Sequence, residues 1–520
     1  MNKNTQFTVI TVVIVALGGF LMGFDASVIS GVVGFLEVEF SLTKIEVGWS
    51  VSSLALTASL GMLISGPISD RIGRRPVLKI AAILFGISAV ASAIAPDFQT
   101  FIIARMIGGL GVGAALIIAP MYIAEIAPPS MRGRLVSVNQ FNIVIGISVA
   151  FFSNYLILML SQSDGAWSSA LRMEEWSWRW MLGVEAIPAV LYFFALFFVP
   201  ESPRWLALHG RDSEARDILT RVSGPAQAEH DLHAVNESIK AEAELGRVAL
   251  RTLFKPSMRL VMTIAVSVAI LQQITGINSV FFYAPMIFEQ SGIGTNSAFM
   301  QAVLVGLVNV VFTVIAMVLI DRLGRRILLG FGLAGIAVCM LTLSYGFGTA
   351  TYSLDQSAID ELPVKIEQQQ IDRLVSETYG SDTEFHDAVS AVIGQSVYKQ
   401  FEAQLVRQAI NINPILILLA ILGFVASFAI SIGPVMWVLF AELFPNRIRG
   451  MAISFVGLIN SMVAFLVTLI FPWELEKIGI SATFLIYGLF AVLGLLFIMR
   501  ILPETKGRSL EELERALVKY

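Results

Sequence analysis

The string "SDRIGRRP", Ser69–Pro76, occurs a second time in nearly the same form as "IDRLGRRI", Ile320–Ile327. Each copy places one aspartate and three arginines between two long apolar runs. A charged string of this kind, repeated at a large separation, is the mark of an internal duplication. We therefore predict that the chain contains two copies of one structural unit.

The composition places both copies in a membrane. Of 520 residues, 56% are hydrophobic and only 14% are charged, and the mean hydropathy is +0.77, far from the balance of a soluble domain. The net charge of -4 gives no sign of a nucleic-acid partner. The single cysteine, Cys339, rules out an intrachain disulfide. The apolar stretch from Phe7 to about Val33 is too long for a signal peptide and is predicted to be a first membrane helix.

A helix needs about 20 apolar residues to cross the hydrocarbon core of a bilayer. Twelve runs of that kind are present, so both termini lie on one side of the membrane. The tails and the even-numbered loops hold most of the 35 lysines and arginines, which predicts cytoplasmic termini. The predicted helices are residues 7–33, 47–67, 77–95, 98–121, 135–160, 178–199, 258–289, 297–320, 327–348, 414–440, 450–472 and 480–500.

Further repeated motifs locate an insertion. "AEIAPPSMRGR" from Ala124 matches "AELFPNRIRG" from Ala441, and "PESPR" matches "PETKGR". Asp70 and Asp321 are 251 positions apart, whereas Glu125 and Glu442 are 317 apart, so 66 extra residues lie between the second-half motifs. They fall in the outer loop 349–413. Its helical apolar spacing (Val389, Val392, Ile393, Val397, Phe401, Leu405) and the capping box of Ser381 with Glu384 favour a small helical extracytoplasmic subdomain over a flexible insert.

The predicted fold is therefore all-α, with twelve transmembrane helices in two pseudo-symmetric six-helix bundles. The polar loop 201–257 lies on the cytoplasmic side and carries helical pieces such as "SEARDILTRV", so it is either a charged linker or a small helical bundle that braces the two halves. The predicted domains are an N-terminal bundle at 1–200, this linker at 201–257, a C-terminal bundle at 258–500 with the insert 349–413, and a cytoplasmic tail at 501–520.

Several motifs together resemble the sugar porter family of the major facilitator superfamily. They are the paired "DRxGRR" turns, "PESPRWL" from Pro200, "QQITGIN" from Gln272, "GPVMW" from Gly433 and "PETKGRSLEELE" from Pro503. The resemblance spans nearly the whole chain except the insert. It implies the major facilitator fold and two bundles that rock around a central sugar site in alternating access.

The repeated strings then have a mechanical interpretation. They place opposite charges at the cytoplasmic ends of the helices, where ion pairs can hold an inner gate shut and break when it opens. The alternative is that the arginines only set the membrane topology. The predicted gate residues are Asp70, Arg74, Arg75, Glu125, Arg132, Arg134 and Glu201 in the first half, and Asp321, Arg325, Arg326, Glu442, Arg449 and Glu504 in the second.

Charged residues inside membrane helices are costly unless they are paired. Asp25 lies deep in helix 1 and Arg105 lies in the helix-4 run, so the two can neutralise each other. Protonation of Asp25 would then release Arg105. The resemblance implies proton symport, because proton-coupled sugar porters carry an aspartate and an arginine at the matching positions. Glu185 is a third candidate for this network, and the alternative is a buried pair with a structural role only.

A sugar site needs amide side chains for the hydroxyl groups and an aromatic face for the ring. Amides at membrane depth also act as contacts between helices, which is the alternative interpretation here. The family resemblance implies sugar contacts at the matching positions, which are Gln140, Gln272, Gln273, Asn278, Asn309 and Asn460, with Phe428 and Trp437 as aromatic faces. The chain departs from the family pattern at Phe282, Ser461 and Ala464, which leaves the identity of the sugar open.

We therefore expect an integral, multi-pass transporter of the cell (inner) membrane that carries a monosaccharide or a cyclitol together with protons. A passive facilitator is the closest alternative, and a sugar sensor is a more distant one. The chain shows no Ser/His/Asp arrangement, metal-ligand cluster or phosphate-binding loop, so no enzyme activity, cofactor or metal is expected. The expected partners are the sugar, protons and membrane lipid, without nucleic acid, and the expected state is a monomer.

Overall fold

The structure, a computed structural model, describes residues 3–128, 131–245, 250–356, 374–375, 377–445, 448–506 and 512. Apart from two short strands, its regular structure is helical. The helices of the first half are α1 Lys3–Val28, α2 Val33–Glu39, α3 Lys44–Ile72, α4 Arg74–Ala93, α5 Phe98–Ile126, α6 Arg132–Ser161, α7 Ala166–Ala170, α8 Ser177–Gly183, α9 Ala186–Ala195, α10 Pro203–Leu208, α11 Asp212–Ser223 and α12 Pro225–Leu245.

The second half carries eleven further helices and the two strands within the described residues. These elements are α13 Arg259–Ile274, α14 Ile277–Phe282, α15 Ala284–Glu289, α16 Thr295–Leu323, α17 Arg325–Gly348, β1 Thr351–Tyr352, α18 Asp382–Ile393, α19 Gln395–Ala409, β2 Ile410–Asn411, α20 Pro414–Ile430, α21 Ile432–Leu443, α22 Arg449–Ile478 and α23 Ile480–Ile501.

Within the described residues, eleven helical spans are long and apolar enough to cross a membrane. The predicted sixth membrane helix, 178–199, differs from the expectation of a continuous helix because it is divided into α8 and α9. Pro188 explains the interruption, since a proline has no N–H to donate to the carbonyl of Val184. Glu185 lies at this break.

Two other predicted helices are also interrupted. The seventh, predicted over 258–289, consists of α13, α14 and α15, with Gly276 at a φ of +86° between the first two. The tenth, predicted over 414–440, consists of α20 and α21, which are separated at Ser431. Pro434 follows that break and cannot donate to the carbonyl of Ile430. Breaks of this kind expose backbone groups and side chains at membrane depth.

The chain divides into two compact units. The first unit is Met1–Val28, Ser53–Ala150 and Arg179–Ala249, and the second is Ile29–Ser52, Phe151–Trp178 and Leu250–Tyr520. These bounds differ from the domains predicted at 1–200, 201–257 and 258–500. The sequence-based bounds follow the order of the motifs, whereas the units follow packing. Parts of the predicted first bundle therefore belong to the second unit, and most of the predicted linker belongs to the first.

The first unit has an apolar core built by α1, α4, α5 and α9. The helix α5 begins at Asp97, whose side chain accepts a hydrogen bond from the Thr100 N–H at 2.9 Å. Small residues let neighbouring helices approach closely in a membrane. At Gly113, for example, a Cβ atom would lie 2.1 Å from the carbonyl oxygen of Ala58 on α3. The core includes Val15, Leu78, Phe85, Ile118, Ala189 and Tyr192.

The polar segment after α9 has a small core of its own, formed by α10, α11 and α12. The insert likewise has a separate core. There, β1 and β2 pair antiparallel with Thr351 opposite Asn411, and the Ser381 hydroxyl caps α18 by accepting from the Glu384 N–H at 3.2 Å. The rings of Tyr352 and Phe385 stack at 5.3 Å between centroids. The described part of the insert therefore has an apolar core of its own.

Candidate transport and coupling sites

Asp25 and Arg105 form a fully buried ion pair in the first unit. Asp25 lies near the end of α1 and is 0% exposed, and Arg105 lies on α5 and is 1% exposed. The Nη1 group of Arg105 donates to Oδ1 of Asp25, and Nη2 donates to the Asp25 carbonyl oxygen at 3.1 Å. The guanidinium thus holds both the side chain and the backbone of residue 25.

Glu185 is buried at the break between α8 and α9 and interacts electrostatically with both Asp25 and Arg105. The three residues, which we call the ionisable cluster, comprise two carboxyl groups and one guanidinium. Three of their polar atoms lack a hydrogen-bond partner within the described part of the chain: Asp25 Oδ2, Arg105 Nε and Glu185 Oε1. The cluster is electrically neutral only when one of its carboxyl groups carries a proton.

In the second unit, four amide side chains form a hydrogen-bonded network, which we call the amide network. Gln273 Nε2 donates to Asn460 Oδ1 and to Gln272 Oε1, both at 3.1 Å. Asn460 Nδ2 donates to Gln272 Oε1 at 2.8 Å and to the Ala269 carbonyl at 2.9 Å. Asn278 Nδ2 donates to Gln273 Oε1 at 2.8 Å. The network joins α13, α14 and α22, and Asn278 is its half-buried member.

The break in membrane helix 7 brings Asn278 into this network, because α14 restarts directly after Gly276. The other predicted sugar contacts lie elsewhere. Phe428 is on α20, Trp437 is on α21 with 37% of its surface exposed, and Asn309 is buried on α16. Gln140 lies on α6 in the first unit.

The repeated string of the first half forms what we call the first charge cluster. Arg74 binds Glu125 through Nε at 3.1 Å and Nη2 at 3.0 Å, and it binds Asp70 through Nη1 at 2.8 Å. Glu201 accepts from the N–H groups of Arg74 and Arg75 at 3.0 and 3.3 Å, so it caps the start of α4. Burial raises the pKa of the Glu201 carboxyl.

The second charge cluster repeats this arrangement within the second unit. Arg325 donates from Nη2 to Glu442 at 2.7 Å, and Glu504 accepts from the N–H groups of Arg325 and Arg326 at 2.9 and 3.2 Å. The glycines before the two caps, Gly73 and Gly324, have φ values of 103° and 94°, a backbone region that favours glycine. The "GRR" of each string is therefore a turn followed by a capped helix start.

The third arginine of each string binds the end of the sixth membrane helix of its half. Arg75 donates from Nε to the Leu196 carbonyl at 3.0 Å and from Nη2 to the Phe197 carbonyl at 2.9 Å. Arg326 donates from Nη2 to the Met499 carbonyl. These contacts satisfy carbonyl groups that a helix end leaves unpaired.

The remaining predicted gate residues have different environments. Arg132 and Arg134 are exposed at the start of α6, outside the described ion pairs of the first charge cluster. Arg449 donates from Nε to the Phe444 carbonyl at 3.2 Å. Asp321 belongs to α16, but its side chain lies outside the described residues.

The sequence interpretation missed two hydroxyl groups in these clusters. Ser202 donates to Glu125 Oε2 at 2.5 Å, and Thr505 donates to Glu442 Oε2 at 2.7 Å. A signal was present, because a hydroxyl residue directly follows the capping glutamate in both "PES" and "PET". The two hydroxyls occupy equivalent positions in the duplicated motifs.

A second missed feature is a cavity of about 420 Å³ within the second unit. Lys44, at the start of α3, forms ion pairs with Glu37 of α2 at 2.7 Å and with Glu402 of the insert at 3.6 Å. Asp382 of the insert accepts from the Ile480 N–H at 3.0 Å, and burial raises the pKa of its carboxyl. The insert is thus bound to the ends of α2, α3 and α23 through carboxylates.

The comparisons with known proteins agree with this geometry. The family described as "Sugar (and other) transporter" matches residues 11–359 and 389–517. The arabinose-proton symporter of Bacillus subtilis is 35% identical over 518 residues, covering 100% of this chain and 97% of that protein. The D-xylose-proton symporter of Escherichia coli is 34% identical, covering 98% and 96% of the two chains.

The solved structures agree as well. The partially occluded inward-open conformation of the xylose transporter XylE from Escherichia coli has a TM-score of 0.74 and 31% identity, and the match covers 97% of this chain and 100% of that one. The predicted twelve-helix major facilitator fold is therefore confirmed, and the chain is an integral multi-pass membrane protein. It belongs to the sugar transporter family of the major facilitator superfamily.

Proposed function

We propose that this protein is a proton-coupled symporter of the cell (inner) membrane that carries a neutral monosaccharide or a cyclitol as a monomer, by alternating access. The observation that carries the proposal is the ionisable cluster, in which Asp25, Arg105 and Glu185 are buried together. A passive carrier of neutral sugars has no need for three buried charges, each of which costs free energy in a membrane. The relatives named as arabinose-proton and D-xylose-proton symporters support the same conclusion.

The cluster suggests how a proton is coupled to movement. With both carboxyls ionised, it carries one negative charge in excess, so uptake of one proton makes it neutral. Protonation of Asp25 converts its ion pair with Arg105 into a weaker interaction between a neutral acid and a cation. The guanidinium is then free to change partners, and the relative stability of the conformational states shifts.

The amide network provides the chemistry for the sugar. Amide groups both donate and accept hydrogen bonds, so they match the hydroxyl groups of a neutral polyol and carry no charge that would repel or select an ion. Trp437, with part of its ring exposed, offers an apolar face of the kind that packs against sugar C–H groups. We assign Gln140, Gln272, Gln273, Asn278, Asn309, Phe428, Trp437 and Asn460 to this role.

The two charge clusters are proposed to be parts of the cytoplasmic gate. Their support is that each binds the ends of several helices on the side that the charge distribution predicts to be cytoplasmic. In the first cluster, Arg74, Glu125 and Glu201 together join the ends of three segments: the α3–α4 turn, α5 and the start of the polar segment. A gate that opens at these ends has to strain or break such contacts.

Uptake into proteoliposomes tests the proposal. The purified protein is reconstituted and supplied with radiolabelled arabinose, xylose, glucose or an inositol, with and without an inward proton gradient. Symport predicts that at least one of these substrates accumulates above its external concentration only when the gradient is imposed. Equal equilibration with and without the gradient would instead identify a facilitator.

A further inference from the structure

The two carboxylate oxygens of Asp25 have different surroundings. Oδ1 accepts from Arg105, whereas Oδ2 is buried and has no hydrogen-bond partner within the described part of the chain. A buried carboxylate oxygen without a donor is costly. A proton that binds at Oδ2 lowers this cost and neutralises the carboxyl group, so Oδ1 then holds the guanidinium of Arg105 less strongly.

Oδ2 faces the glycine on α5 that follows Arg105 by three positions. A Cβ atom at Gly108 would lie 2.8 Å from Oδ2 of Asp25 and 2.4 Å from the Ser88 hydroxyl oxygen of α4. Residues three apart on a helix share a face, so Arg105 and Gly108 both face Asp25. The two oxygens lie 2.8 and 2.4 Å from one point and are therefore at most 5.2 Å apart, within reach of a single bridging water.

We propose that Gly108 is a positioning residue for proton coupling: its missing side chain leaves the space in which Oδ2 of Asp25 takes up the proton beside the Ser88 hydroxyl. The inference rests on the proton symport proposed above. In the step itself, a proton from water forms an O–H bond at Oδ2 and neutralises the carboxylate. The same bond breaks when the proton leaves to water on the other side of the membrane. The groups facing Asp25 in this step are Arg105 and Glu185.

The contacts at Gly108 differ from those at other glycines of α5. At Gly109 and Gly113, a Cβ would collide with backbone carbonyl oxygens at 2.4 and 2.1 Å, so these positions are needed for packing. At Gly108, the two closest atoms belong to side chains that can rotate. Gly108→Ala therefore displaces the carboxylate and the hydroxyl. Its remaining contact, 3.0 Å from the Ser88 Cβ, crowds α4 about as much as a Cβ at Gly111 does, so a variant at Gly111 controls for packing.

The test compares Gly108→Ala with Gly111→Ala in proteoliposomes. A Cβ at Gly111 lies 3.1 Å from the Ala81 carbonyl oxygen and 3.3 Å from the Leu84 Cβ, so this control crowds the same pair of helices but not Asp25. We expect Gly108→Ala to reduce proton-driven accumulation by about tenfold or more while sugar exchange at equal concentrations stays within about threefold of wild type. Gly111→Ala should retain both activities.

Two double variants separate the carboxylate from helix packing. Ser88→Ala combined with Gly108→Ala removes the 2.4 Å contact but keeps the one with Asp25, so the coupling defect should persist. In an Asp25→Asn background, which should already lack proton-driven accumulation, Gly108→Ala should leave sugar exchange unchanged, because both changes act on one group. Full recovery of accumulation in the first double variant, or a loss of exchange in the second, would overturn the proposal.

Ser88→Ala alone provides a test that adds no volume. Loss of the hydroxyl disfavours the charged carboxylate, so the midpoint of the pH dependence of exchange should move upward. Ser92→Ala, which removes another buried hydroxyl one turn along α4, should leave the midpoint unchanged. Unaltered profiles for Ser88→Ala together with normal accumulation by Gly108→Ala refute this inference alone, whereas absence of proton-driven accumulation by the wild type refutes the symport proposal.

Discussion

The two units are alike at their charged helix ends and different in their buried polar groups. Each has an arginine paired with a glutamate, a second glutamate that caps the next helix, and a hydroxyl beside it. At membrane depth, the first unit buries the ionisable cluster and the second buries the amide network. Both units thus have the contacts that join their helix ends. They differ at membrane depth, where the first unit holds ionisable groups and the second holds neutral amides.

Arg105→Ala, which disrupts the ionisable cluster of the first unit, should have the largest effect. It leaves Asp25 and Glu185 buried without a cation, and the loss of one partner of a buried ion pair costs about 3–5 kcal/mol. We expect the thermal stability of the purified protein in detergent to fall sharply. Asp25→Asn in the same chain should recover part of the loss, since it removes one of the uncompensated charges. If the double variant is no more stable than Arg105→Ala, the ion pair does not account for the effect.

Gln272→Ala tests the amide network of the second unit. Removal of an amide leaves buried hydrogen-bonding partners unsatisfied, so sugar binding should weaken by about 1–3 kcal/mol, which calorimetry on purified protein can measure. Gln162→Ala provides a matched control, because that exposed amide pairs with Asn296 outside the network. The proton dependence of the residual transport should be unchanged. Unaltered affinity in Gln272→Ala and in Trp437→Leu would place the sugar site elsewhere.

Arg74→Ala and Arg325→Ala test the two charge clusters, the feature in which the units are alike. If the charge clusters stabilise the closed inner gate, the loss of about 1.4 kcal/mol from that state shifts the equilibrium tenfold toward the inward-open form. The effect should be larger for Arg74, whose side chain and that of its partner Glu125 are 7% and 9% exposed, against 11% and 19% for Arg325 and Glu442. Distances between spin labels on the cytoplasmic helix ends report the shift.

A topology-only role for these arginines predicts a different outcome. Correctly inserted variants would then retain the wild-type distance distribution and the wild-type transport rate. Insertion, distance and uptake should therefore be measured on one preparation.

Ser202→Ala and Thr505→Val should have the smallest effects. Each removes one hydrogen bond to a buried or half-buried carboxylate, which is worth about 1 kcal/mol. Ser202→Ala also removes the hydroxyl that caps α10 by accepting from the Trp205 N–H at 3.3 Å, so its loss of thermal stability should be somewhat larger than that of Thr505→Val. The two losses should add in the double variant, and a larger loss in Thr505→Val would contradict this comparison.

Much of this organisation could be predicted from the sequence, because its signals are local. Apolar runs locate the membrane helices. Charged residues are rare at membrane depth, so Asp25 and Arg105 could be predicted to pair with each other, and they do. The breaks in helices 6 and 10 were not predicted, although Pro188 and Pro434 lie next to them, because a proline inside a membrane helix does not always interrupt it. Pro120, for example, lies inside α5.

Contacts between distant segments could not be predicted in the same way. Lys44 and Glu402 are far apart in the sequence, and nothing in their local patterns links the start of α3 to the insert. The closeness of Gly108, Ser88 and Asp25 likewise depends on the packing of three helices. The hydroxyls of Ser202 and Thr505 are an intermediate case, since their repetition after a glutamate was visible but the partner they bind was not.

Asp25→Asn tests the central claim, that a buried carboxylate in the first unit couples protons to sugar movement, most directly. The amide is neutral and mimics the protonated acid, so the variant should still exchange labelled for unlabelled sugar across proteoliposome membranes at close to the wild-type rate. It should fail to concentrate sugar when an inward proton gradient is imposed. Accumulation by Asp25→Asn equal to that of the wild type under the same gradient would contradict the account.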